Sequence, residues 1–145
     1  MLEEVPQTVP GAARIEKEGS GEDMHKDYPK YYEHLQKLTT KLAREVRGTM
    51  SGFTQLRVAA SAEGAISQKV KQLIALAIAV TVRCDGCIAY HVHDAIRAGA
   101  TRDEIMEAVG VAILMGGGPA MVYGCEALEA LDQFEAGGLA PGGSA

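Results

Sequence analysis

Between Pro29 and Val46 the apolar residues Tyr31, Leu35, Leu38, Leu42 and Val46 recur at three- and four-residue steps, with Lys37, Lys41, Arg44 and Glu45 between them. That period predicts an amphipathic helix, with Pro29 near its start, where a missing N–H costs little. The stretch "RGTMSG" is expected to break it, and a short helix to follow from Thr54 to about Ala62. "EGAIS" reads as a turn, and Ser67 as the N-cap of a helix from Gln68 to roughly Val82. From Leu73 onward this segment, "LIALAIAV", is apolar nearly all round, so it is expected to be the buried central helix. So short a chain can hardly cover every side of it, and subunit contact is expected to cover the rest. A further helix opens near Asp85, carries Ile88, Val92, Ala95 and Ile96, and stops at Gly99. "TRDE" fits a capping box of Thr101 and Glu104, opening a helix to about Met115. "GGGP" ends that helix with positive φ, and Pro119 starts a last one through Leu131. No alternating run of β-branched residues between turns is visible. The expected fold class is all-α, with short turns.

The two ends lack this period. Residues 1–24 mix Pro, Gly and charge and are expected to form an arm; residues 137–145 ("GGLAPGGSA") are expected to form a flexible tail. Residues 25–136 are read as one domain, which suits a chain of 145 residues. With no Trp and two Phe, the core must be aliphatic. A net charge of −5, with Lys and Arg scattered among acids, argues against a nucleic-acid partner. The longest apolar run, Leu73 to Val80, is about half the roughly 20 residues of a membrane span. With no apolar leader visible either, a cytoplasmic protein without a membrane partner is expected.

In a reducing compartment a close cysteine pair points to redox, catalytic or metal chemistry rather than a structural staple. "RCDGCIAYHVH" carries such a pair at the predicted start of a helix. Free N–H groups and the helix dipole there favour a thiolate, and Arg83 adds positive charge. The spacing of Cys84 and Cys87 lets the two sulfurs bond across the first turn. His91 lies one turn beyond Cys87 on the same face but about 10.5 Å along the axis from Cys84. An imidazole base therefore serves Cys87, which is read as the attacking thiolate, with Cys84 resolving; the reverse order, as in thioredoxin, is the competing assignment. Zinc is the rival use of Cys84, Cys87, His91 and His93. It is disfavoured because His93 lies about 200° round the helix from His91. His93, His25 and His34 are read as solvated, Cys125 as a small buried hydrophobe, and Met115 and Met121 as core. Gly116 to Gly118 lack the strand and the Lys-Ser/Thr of a phosphate loop. No cofactor or metal is expected.

The stretch "KVKQLIALAIAVTVRCDGCIAYHVHDAIRAGATRDEIMEAVGVAILMGGGP" closely resembles the carboxymuconolactone decarboxylase superfamily, in its alkylhydroperoxidase D (AhpD)-like branch. The resemblance is strong from about Lys69 to Phe134 and weak upstream. It implies an all-helical fold assembling as a homo-oligomer, a trimer or a hexamer. It implies reduction of a hydroperoxide by Cys87, closure of a disulfide by Cys84, a proton relay through His91, and regeneration by an external dithiol donor. One departure stands out. Where that pattern has a glutamate twelve residues before the first cysteine, this chain has Gln72, which cannot take a proton at neutral pH. Glu63 or Asp94 are the candidate substitutes, and weakened activity is expected. Two alternatives are a lactone decarboxylase, which has no evident need for two thiols, and a non-catalytic redox-sensing assembly.

Overall fold

The computed structural model describes residues 25–142, so the expected arm at 1–24 lies outside the described residues. Five helices follow one another: α1 (Tyr28–Glu45), α2 (Arg47–Ser61), α3 (Gln68–Thr81), α4 (Asp85–Arg97) and α5 (Arg102–Ala136). No strand occurs among the described residues. The predicted caps are in place. Ser67 Oγ accepts from the Val70 N–H, and Thr101 and Glu104 form the reciprocal capping box. α1 starts one residue before Pro29, with Asp27 as N-cap.

Two boundaries differ from expectation. "RGTMSG" does not break the chain: it is the first part of α2, and the break is confined to Val46. Gly48 and Gly52 have open space around them and simply continue the helix. The last helix runs to Ala136 rather than Leu131.

α5 is a hairpin of two helical arms. A straight helix of its 35 residues would be about 52 Å long. Yet Arg102 at its start reaches Asp132 and Glu135 near its end, each at 2.6 Å. The reversal is at Gly117 (φ 66°, ψ −151°), a conformation reserved for glycine. Gly124 lets the arms close up, since a Cβ there would stand 3.0 Å from Val109 Cγ1. Although residues 102–136 have the length and hydropathy of a membrane span, the fold-back means they are not one rod.

α3 packs between α4 and the α5 hairpin, and the core is aliphatic: Leu76, Val80, Ile88, Val92, Ile105 and Leu131 are fully buried, and Tyr28 joins them. α3 is covered on one side only. Val70, Ile74, Ile78 and Val82, at four-residue steps, remain exposed. α2 buries no residue at all. Leu114 (80% exposed), Met115 and Met121 also face outward, so the two methionines are not core as expected. Beyond α5, residues 137–142 turn back on the domain: Leu139 packs against the core and the Gly142 N–H donates to Ile96 O.

Candidate functional site

The site begins where α3 ends. The Cys84 N–H bonds to Ala79 O (3.1 Å) and the Arg83 N–H to Val80 O (3.3 Å), the pattern of a Schellman turn. Arg83 occupies its left-handed position with φ 62°, where glycine is the usual residue and a side chain costs roughly 1 kcal/mol. The turn delivers Cys84 as the N-cap of α4, its Sγ accepting from the Cys87 N–H at 3.3 Å. The two cysteines are joined as a disulfide, with Cα atoms 5.2 Å apart. A first helical turn thus holds both sulfurs beside free backbone donors.

His91 is partly buried one turn further along α4. Its Nδ1 lies 2.9 Å from Gln72 Oε1 on α3, and Gln72 is buried, at 8% exposed. A carbonyl oxygen can only accept, so Nδ1 carries the proton and Nε2 keeps its lone pair. Burial pulls the His91 pKa below its ordinary value; the Asp94 carboxylate opposes this and the Arg57 cation adds to it. The ring is therefore a neutral base of reduced strength.

The other candidates fall elsewhere. Glu63 accepts from the Gln68 N–H (3.0 Å) and so caps α3 rather than serving as a relay acid. Asp94 bonds His93 Nδ1 at 2.9 Å and reaches His91 only through its charge. His93 is not solvated as expected: it stacks on Tyr32 with centroids 4.2 Å apart, with Phe134 edge-on at 5.5 Å. Cys125 is exposed rather than buried. Among the described residues no group of three or more His, Cys, Asp or Glu side chains is arranged to hold a metal ion.

Sequence reasoning missed two contributors. Arg57, on a helix that touches α3 only lightly, places a cation within electrostatic reach of His91. Lys26 bonds Asp85, the residue after Cys84, at 2.6 Å. Neither has a local sequence signal, because each acts across a long stretch of chain.

The carboxymuconolactone decarboxylase family profile matches residues 47–130, which spans α2 to most of α5. The chain belongs to that family. Similar members include a carboxymuconolactone decarboxylase family protein of Legionella pneumophila, whose apo crystal structure superposes with a TM-score of 0.71 at 39% identity, over 74% of this chain and 96% of that one. A family protein of Thermotoga maritima, described with a suggested involvement in antioxidative response, gives 0.66 at 29% identity, over 75% and 95%. An uncharacterised protein of Cupriavidus necator is 40% identical over 87 residues, 60% of this chain and 77% of its own length. The family and the all-helical fold thus agree with the resemblance seen in the sequence.

Proposed function

We propose that this family member is a thiol-dependent hydroperoxide reductase of the AhpD-like kind. The observation that carries this reading is the bonded Cys84–Cys87 pair at the start of α4, with His91 one turn below Cys87 and oriented by Gln72. In the reduced protein, His91 Nε2 takes the Cys87 proton, directly or through one water. The Cys87 thiolate then attacks the outer oxygen of ROOH. The O–O bond breaks, Cys87 becomes a sulfenic acid, and RO⁻ leaves as ROH with the proton from His91. The Cys84 thiol attacks that sulfur, releasing water and forming the disulfide. An external dithiol passes two electrons back and restores both thiols. The description of the Thermotoga maritima relative supports an antioxidative direction.

The catalytic unit is read as a homo-oligomer, a trimer or hexamer, in a reducing cytoplasm. Its support is the apolar face of α3 at Val70, Ile74, Ile78 and Val82, together with α2, which this chain leaves uncovered. A lactone decarboxylation has no evident need for the two sulfurs.

The test is to reduce the protein, add cumene hydroperoxide, and follow peroxide loss with excess dithiol. Catalytic turnover abolished by Cys87→Ser is expected, as is a sulfenic acid trapped on Cys87 in Cys84→Ser. Oxidation that stops at one equivalent would overturn the enzyme reading in favour of a sensor. Sulfenate found only on Cys84, in Cys87→Ser, would reverse the two roles.

A further inference from the structure

The residues just before α1 lie along one face of the second arm of α5. Gln133 holds them at two points: its Nε2 donates to Lys26 O (2.8 Å) and its Oε1 accepts from the Tyr28 N–H (2.7 Å). His25 adds a contact to Glu129 at 2.9 Å. The clamp fixes the backbone on both sides of Asp27 and directs Lys26 towards the start of α4. There its ammonium donates to Asp85 Oδ2 (2.6 Å) and to Glu126 Oε2 (2.9 Å). Beneath it, the buried Tyr28 hydroxyl donates to the same Glu126 carboxylate.

Asp85 is the first residue of α4 and stands between the two cysteines in sequence. A carboxylate at a helix start suits the dipole, but a negative charge beside a thiol disfavours the thiolate. Asp85 puts such a charge next to Cys84 in the chain, and Lys26, bonded to both Asp85 and Glu126, brings the second carboxylate to the same cation. Arg83 immediately precedes this turn in the chain and His91 follows it one turn on along α4, while Tyr31 approaches it from α1. The Tyr31 hydroxyl lies 3.6 Å from where a Cβ on Gly86 would stand. Arg83 is exposed and screened, so it opposes the carboxylates less effectively than a cation bonded to both.

We propose that Lys26 is a positioning residue for the cysteine pair: clamped by Gln133, its ammonium offsets Asp85 and Glu126 and so favours the thiolate at the start of α4. The role acts through Asp85, and no substrate contact is required of Lys26. The inference rests on the reading that the reduced pair works as a thiolate, but it is measurable whether or not the protein turns over peroxide.

The experiment is the pH dependence of iodoacetamide alkylation of the reduced full chain, with Cys84, Cys87 and Cys125 followed separately by peptide mass. A partly exposed unit charge that acts through a neighbouring carboxylate shifts a pKa by about 0.5–1 unit. Lys26→Met is expected to raise the midpoint of the more acidic cysteine of the pair by that amount. Its alkylation near pH 6 then slows by about 3- to 10-fold. Lys26→Arg should stay within about 2-fold of the parent, because the charge and its two partners are retained. Cys125, exposed on α5 beside Glu126, is followed as well, and its shift should be smaller than that of the pair. Asp85→Asn should shift the midpoint down, and this variant decides the matter if Lys26→Met does not fold. An unmoved midpoint in folded Lys26→Met, an equal shift at all three cysteines, or an upward shift in Asp85→Asn would overturn the proposal. Loss of peroxidase activity with these shifts intact would count against the enzyme reading alone.

Discussion

Replacing Gln72 by glutamate tests the relay most directly, because it puts a negative charge beside the His91 ring at nearly constant side-chain shape. The amide oxygen is 2.9 Å from Nδ1, Gln72 is buried and the ring is partly so. Two unit charges about 4 Å apart at an effective dielectric of 20 interact by about 4 kcal/mol, or about 3 pKa units. The new carboxylate is itself desolvated, which removes roughly half of that, leaving a rise of about 1–2 units. Burial holds the His91 pKa below its ordinary value in the parent. The rise moves the base back towards neutral pH, where general-base catalysis is most effective. With an intermediate general-base Brønsted slope of about 0.5, the rate of Cys87 oxidation near pH 7.5 should increase by about 3- to 10-fold. The acid limb of the profile should move to higher pH by the same shift as the ring. Stopped-flow peroxide consumption between pH 6 and 9 measures the first, and NMR titration of the His91 ring the second. If Gln72→Glu folds and neither quantity changes across that range, the assignment of Gln72 and His91 to one relay is wrong.

Three other outcomes are expected. The folded chain holds His91 neutral at a pH where the unfolded chain binds a proton, so stability should fall as pH drops from about 6.5 towards the depressed native value. Urea titrations should show this slope flattened in His91→Asn. Gly117→Ala should cost about 1–3 kcal/mol, because its positive φ with ψ near −150° excludes a side chain while no neighbour lies within 4 Å; thermal melts check it, and an unchanged Tm would mean the bend is not needed. Ile78→Asp, in the middle of the uncovered α3 stripe, should shift sedimentation from oligomer to monomer, and a parent protein already monomeric would refute the covered-face reading.

Local chemistry was readable from the residues themselves. Ser67, Thr101 with Glu104, and Gly99 mark helix ends because each acts on backbone groups within one turn. The reach from Cys87 to His91 follows from helix pitch in the same way. The "RGTMSG" stretch misled because glycine weakens a helix by only about 1 kcal/mol each, and the chain around Gly48 and Gly52 continues through them. Cys125, Met115 and Met121 misled for another reason: apolar type does not say which face of a helix a single chain covers, and here those faces stay open.

What the sequence determined by itself was the run of helices, their caps and the placing of Cys84, Cys87 and His91 within the first turns of one helix, since these depend on neighbours a few residues away. Only the packed structure decided that Gln72 faces the His91 ring, that Glu63 is occupied at a helix cap, and that Lys26 spans to Asp85 and Glu126. Apart from the Glu63 cap, which spans five residues, those contacts join residues 19 to 100 apart. Which side chains meet over such separations is set by the crossing of α3 with α4 and the fold-back of α5, and no short-range pattern encodes it.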